Sequence, residues 1–253
     1  RQKSLIIEPK IKLTFIGGDD KNNDIPNRDS ADFRVDSANM FLTNRFQGYD
    51  YVLPGARADI GLSAFTNSEL IGSLHGFTGV SRRHTGDVPS GLSTGTDTDL
   101  SDYVATVSAE KENLYAFSWS GRINSTSSNL DQSRTILSTK LQNARFIIAH
   151  TQLTQNYFTS ADSDLEEASV SISQRLKNGV NLRASQNWDL SDSNVYRDKS
   201  SFVVSWSDGL QDCLTISLSY DRDPEIDRDI KTTETYQLLL NFKYLGGVPY
   251  DSN

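Results

Sequence analysis

Between residues 169 and 245 the chain repeats one rule: an apolar side chain, then a polar one, then an apolar one. Val170, Ile172, Gln174 and Leu176 alternate with Ser169, Ser171, Ser173 and Arg175, and Val180, Leu182, Ala184 and Trp188 stand opposite Asn181, Arg183, Ser185 and Asn187. Phe202, Val204 and Trp206 are interleaved with Val203, Ser205 and Ser207. Leu214, Ile216, Leu218 and Tyr220 alternate with Thr215, Ser217, Ser219 and Asp221. In the last run Tyr236, Leu238, Leu240, Phe242 and Tyr244 alternate with Gln237, Leu239, Asn241 and Lys243. A period of two sends successive side chains to opposite faces of a strand, whereas a helix needs apolar stripes at three and four residues, which these windows lack. The chain is expected to be all-β.

Extended to the whole chain, the pattern predicts twelve strands, at 5–16, 57–66, 70–82, 102–111, 114–124, 133–141, 145–157, 166–176, 180–190, 200–208, 213–222 and 235–245. These are close to ten residues each, longer than the ~5–6 usual in globular sheets. Ten residues at ~3.3 Å each, tilted by ~40°, rise about 25 Å, the apolar band of an outer-membrane barrel. After the second strand, short connections (67–69, 112–113, 142–144, 177–179, 209–212) take turns with long ones (83–101, 125–132, 158–165, 191–199, 223–234). Tight turns on one side and long loops on the other are the layout of an antiparallel transmembrane β-barrel; a β-sandwich mixes hairpins with inter-sheet crossovers. Tyr103, Trp188, Tyr220 and Tyr236 near one set of strand ends, and Trp206 and Tyr244 near the other, suit interfacial girdles. The polar faces are rich in Ser, Thr, Asn and Gln, as a hydrated lumen requires. Val170, Ile172, Leu182, Leu214, Ile216 and Leu218 are expected to face lipid, and Ser171, Arg183 and Ser217 the lumen.

Composition excludes several other classes. A net charge of −8 on 253 residues argues against a general nucleic-acid binder. The single cysteine, Cys213, excludes an internal disulfide framework and a multi-cysteine metal site. No apolar run exceeds the four residues of 114–117 or 146–149, far short of the ~20 needed for a transmembrane helix. The chain begins Arg1-Gln2-Lys3, without a start methionine, and is expected to be a processed product or a fragment. His75, His84 and His150 lack metal-ligand spacing, and Gly61-Leu62-Ser63-Ala64-Phe65 breaks the nucleophile-elbow pattern at its fifth position. No phosphate-binding or dinucleotide fingerprint is present. Asp20, Asn22 and Asp24 resemble the start of a calcium loop but lack its glycine and closing glutamate. The long loops carry acidic runs, such as Asp221, Asp223, Glu225, Asp227 and Asp229, read as solvated charge or as carboxylates that bridge to surface phosphates through divalent cations.

One region carries a more specific pattern. Pro26-Asn27-Arg28-Asp29-Ser30 is followed by Asn39-Met40-Phe41, by Asn44-Arg45-Phe46-Gln47-Gly48-Tyr49-Asp50, and by the run from Gly55 through Gly61 to Leu62. Together with Asp212-Cys213-Leu214 and the strand after it, and the closing Phe242-Lys243-Tyr244-Leu245-Gly246, this resembles the C-terminal barrel region of the LPS-assembly protein LptD family, most like its alphaproteobacterial branch. The Asn-Arg-Phe-x-Gly-Tyr-Asp core is the most specific part.

The resemblance implies a transporter without cofactor or catalysis, located in the bacterial outer membrane. It would insert lipopolysaccharide into the outer leaflet through a lumen and a lateral gate. Implied partners are lipopolysaccharide, the plug lipoprotein LptE, periplasmic bridge proteins reached through an N-terminal jellyroll, and outer-membrane lipid. This chain would then be the C-terminal half of a larger barrel, residues 1–253 forming one barrel region. By the same resemblance Cys213 bridges to a cysteine outside this chain, and Gln237, Leu239, Asn241 and Lys243 lie on the strand that forms one lip of the gate. The alternatives left open are an independent outer-membrane barrel (porin, secretion pore or lipolytic enzyme) and a secreted β-sandwich binding module.

Overall fold

Each alternating segment is a strand that pairs with its neighbour in sequence. The computed structural model describes residues 4–18, 34–46, 52, 54–86, 96, 98–154, 164–191, 198–207, 214–223 and 233–242. The strands are β1 (Leu5–Ile16), β2 (Gly55–Ser68), β3 (Gly72–Arg83), β4 (Tyr103–Lys111), β5 (Tyr115–Ile123), β6 (Leu130–Leu141), β7 (Ala144–Leu153), β8 (Leu165–Arg175), β9 (Val180–Asp189), β10 (Lys199–Ser207), β11 (Leu214–Asp223) and β12 (Thr233–Phe242). They form one twelve-stranded antiparallel sheet in strict chain order, with β1 and β12 as its ends. A 3₁₀ turn at Lys177–Gly179 is the one helical element among the described residues. The fold class is therefore the one the alternation predicts, and every expected strand is found with its ends displaced by a few residues.

The tight connections are closed by residues in the left-handed region: Asn113 at φ 59°, Gln142 at φ 52° and Asn178 at φ 69°. Asparagine tolerates that conformation better than most residues, so two of these turns are written in the sequence. The described residues fall into two units, one of residues 1–112, 116–135 and 152–164, the other of 113–115, 136–151 and 165–253.

In the first unit, the register pairs Lys12 with Asp59, Asp59 with Ser81, and Gly61 with Gly79 and Lys10. Gly79 in turn pairs with Val104. One face of β1–β4 thus carries Lys10, Lys12, Thr14, Arg57, Asp59, Ser81 and Val104. The other carries Ile7, Ile11, Leu13, Phe15, Ile60, Leu62 and Val107, all exposed, Phe15 to 77%. A small apolar core of Val35, Met40, Phe46 and Val104, flanked by Phe41 and Phe77, lies on the first of these faces.

In the second unit the faces divide as the alternation predicts. Val204 sits opposite Leu182 and Leu218, and Leu218 opposite Leu238, on the same face as Ile172 and Ile216. Ser205 sits opposite Asn181 and Ser217, on the face that also holds Ser171 and Arg183. Leu239, opposite Ser217, and Val203, opposite Arg183 and Ser219, are apolar exceptions on that polar face.

Candidate functional site

A strand face carrying Lys, Arg, Asp and Ser would ordinarily be left to water. On β1–β3 it is covered instead by the segment 34–46, part of the connection between β1 and β2. Two turns shape this segment. Asp36 Oδ1 accepts from the N–H groups of Ala38 and Asn39, and Met40 N–H donates to Asp36 O at 3.0 Å. The folded turn presents Met40 and Phe41 to the sheet. Both enter space that glycine leaves open: a Cβ built on Gly79 would lie 2.5 Å from Met40 Sδ, and one on Gly61 would lie 2.8 Å from Phe41 Cζ. Met40 is 0% exposed, and the Phe41 ring meets Phe77 edge-on with centroids 6.3 Å apart.

Cations tie down the segment's backbone. Four successive carbonyls receive charge-assisted hydrogen bonds, which are stronger than neutral ones. Arg45 Nη2 donates to Met40 O at 2.8 Å, and Lys12 Nζ donates to Phe41 O at 2.8 Å. Arg57 Nη2 donates to Leu42 O and, at 2.9 Å, to Thr43 O. Lys12 also reaches Thr43 Oγ1 at 2.8 Å, and Lys10 Nζ stands 4.5 Å above the Phe41 ring.

Beneath the segment lies a buried charge cluster. Asp59, 0% exposed, accepts from Arg45 Nη2 at 2.7 Å, from Arg57 Nε at 3.3 Å and from the Ser81 hydroxyl. Burial is the main cause that lowers the Arg45 pKa to about 10; nearby Arg57 adds to this and Asp59 opposes it. A value near 10 still leaves the guanidinium charged at neutral pH. Ser81 N–H donates to Ser101 Oγ, whose hydroxyl donates to Asp102 O, and Asp102 pairs with Arg122 at 3.2 Å. The network therefore runs from the segment through β2 and β3 to the start of β4.

Of the residues singled out in the sequence, Asn44, Arg45 and Phe46 lie in the docked segment and Gly55 and Gly61 in β2. Arg45 and Gly61 meet within one assembly, while Phe46 belongs to its apolar core. Pro26, Asn27, Asp29, Ser30, Gly48, Tyr49, Asp50, Cys213 and Lys243 lie outside the described residues. Gln237, Leu239 and Asn241 are in β12, an end strand of the sheet. Met40, and Arg57 and Asp59 within the run from Gly55 to Leu62, belong to the pattern that carries the resemblance but have no role assigned from sequence, and Lys12 and Ser81 are not singled out there. A signal was present: Arg57 and Asp59 fall two apart on one face of a strand whose other face is apolar. His150, one of the three histidines without metal-ligand spacing, makes a contact of 2.9 Å with Glu166 across β7 and β8.

Comparison with known proteins bears on this assembly. The family described as LptD, LPS transport system D, matches residues 1–174, which include the docked segment and the whole charge cluster. No curated protein matches the chain.

Proposed function

The chain belongs to the LptD family, and on that premise we propose that it is part of the lipopolysaccharide translocon of the bacterial outer membrane. The observation that carries this reading, beside the family match, is the division of faces. Within each unit the nearest-neighbour antiparallel strands carry one apolar, exposed or half-exposed face and one polar face, as a barrel wall between lipid and a hydrated lumen requires. The amphiphile to be moved has a large polar head and apolar tails. Its sugars suit a hydrated lumen, whereas its acyl chains must leave sideways into lipid, so the wall has to open along one seam.

In this reading β12 is one lip of that seam. Tyr236, Leu238 and Leu240 are exposed on its apolar face, Tyr236 to 71%, and would meet lipid and passing acyl chains. Gln237 and Asn241, with Lys243 beyond them, would meet sugars and phosphates. Both β1 and β12 have an edge that must be paired in lipid, and we assign the pairing to strands of the remaining barrel. Cys213 would bridge to the periplasmic jellyroll, which receives lipopolysaccharide from the bridge proteins, with LptE as the plug in the lumen. The absence of catalysis belongs to the same proposal.

The test uses the full-length protein with single cysteines at Gln237 or Asn241 and a partner cysteine on the first barrel strand. Crosslinking is expected to stop delivery of lipopolysaccharide to the cell surface, and reduction to restore it. Efficient crosslinking with undiminished delivery would remove the gate role from β12.

A further inference from the structure

At the ends of β2 and β3 that lead into long connections, the charge cluster borders a small cleft that is partly open to solvent. Its charged lining is Arg45, Arg57 and Arg83 on one side of the ledger and Asp99 on the other. Arg57 and Arg83 are register partners on neighbouring strands, on the face that Arg45 also approaches. Like charges directly opposite in an antiparallel pair repel, and their Cβ atoms lie only ~5 Å apart. Asp59 compensates Arg45 and Arg57 together, with one charge against two. Asp99 stands 4.0 Å from Arg83 Nε, and its side chain is 85% exposed, so its screening of Arg83 is weak. Among the described residues the cleft therefore keeps a surplus of positive charge, in a chain whose net charge is −8.

Donors remain to use that surplus. Arg45 is 3% exposed, and its Nε has no hydrogen-bond partner among the described residues. A buried guanidinium N–H left unmatched is costly, and a ligand oxygen would satisfy it. The Thr85 hydroxyl accepts from Ala56 N–H at 2.9 Å, which leaves its own hydrogen to donate into the cleft it lines. Among the described residues Arg83 is held by long contacts only, 3.4 Å to Thr98 O and 4.0 Å to Asp99, so its fork can turn toward an oxyanion. Guanidinium forks match the oxygen spacing of phosphate in a bidentate manner.

We propose that this cleft is a phosphate-binding site that takes a phosphate monoester between Arg45, Arg57 and Arg83. The anion would supply the charge that the opposed Arg57–Arg83 pair lacks. The site stands on these contacts by themselves; only the identification of its natural ligand as a phosphorylated sugar of a glycolipid rests on the transport reading above.

The intact protein in detergent would be titrated with inorganic phosphate, and separately with a phosphorylated diglucosamine glycolipid and its dephosphorylated form in mixed micelles. Saturable, phosphate-dependent binding is expected. Arg83→Gln should weaken it at least ten-fold with the thermal midpoint unchanged, and Arg83→Lys, which keeps the charge and loses the planar fork, should weaken it several-fold. Binding of inorganic phosphate marks a general anion site, and binding of the phosphorylated glycolipid alone marks a headgroup site; either supports the proposal. If Arg83→Gln does not fold, Arg83→Lys decides. No saturable binding of either probe, or binding that the folded variants leave unchanged, overturns the site. Surface delivery of lipopolysaccharide is not read in this titration, so the transport reading can fail while the site stands, and the reverse.

Discussion

Asp59→Asn is the sharpest probe of the docked segment. The substitution keeps the size of the side chain and one acceptor oxygen but removes the charge that lies 2.7 Å from Arg45 Nη2 and 3.3 Å from Arg57 Nε. All three groups are buried, Asp59 completely. The variant would leave two guanidinium groups facing each other without compensation, and its new amide would present a donor to one of them. Breaking a buried pair by removing one partner costs ~3–5 kcal/mol, because the other charge stays desolvated. The retained oxygen places Asp59→Asn near the lower end, at ~3 kcal/mol. Urea unfolding of the intact protein in phospholipid vesicles reads this loss. Trypsin provides a local readout, since cleavage after Arg45 is blocked while that residue is 3% exposed and should appear once the segment lifts. Adding Arg45→Gln to Asp59→Asn removes one of the two stranded charges and should return at least ~1 kcal/mol, the usual sign of coupling within one network. An Asp59→Asn protein within ~0.5 kcal/mol of the parent, the size of an ordinary surface substitution, and still resistant after Arg45, would refute the claim that this cluster holds the segment down.

Three further outcomes are expected. Gly79→Ala should cost ~1–3 kcal/mol by overpacking against Met40, and Met40→Ala in the same protein should relieve part of that cost; strictly additive losses in a double-mutant cycle would contradict the fit. Ile216→Arg, on the apolar face, should cost ~2–4 kcal/mol in a bilayer and Ser217→Arg little, so equal losses on unfolding from vesicles would defeat the assignment of faces. Mass spectrometry of the non-reduced full-length protein should find Cys213 in a disulfide with a cysteine outside this chain, and a free thiol there excludes the bridge.

The strands were legible because burial on one face leaves a period of two in the sequence, and the turns because Asn113 and Asn178 accept the left-handed backbone that tight hairpins demand. The segment 34–46 was legible only as a pattern resembling a family, because it has no period. Its order comes from long-range partners: Lys12 is 29 residues from Phe41, and Ser81 is 36 from Arg45. Hydrophobic alternation is equally blind to what covers a polar face. The face of β2 reads the same whether Asp59 meets water or Arg45. Serine-rich faces elsewhere in the sheet gave the expectation of a hydrated lumen, and on β1–β3 that expectation gives way to a packed, charge-paired interior. Gly61 was singled out as part of a motif, but the reason for it became visible only with the Phe41 ring in place.

Strict chain-order pairing has a consequence for how such a wall can come into being and change. Each strand needs only the one before it, so hairpins can add one at a time from either end without threading. The order of assembly can follow the order of synthesis. For the same reason the arrangement is nearly one-dimensional, and inserting or deleting a whole hairpin leaves the neighbour relations of every other strand as they were. Duplication of hairpin-sized units is then a route by which walls of different circumference can arise, with the docked segment inherited intact as long as β1, β2 and β3 travel together.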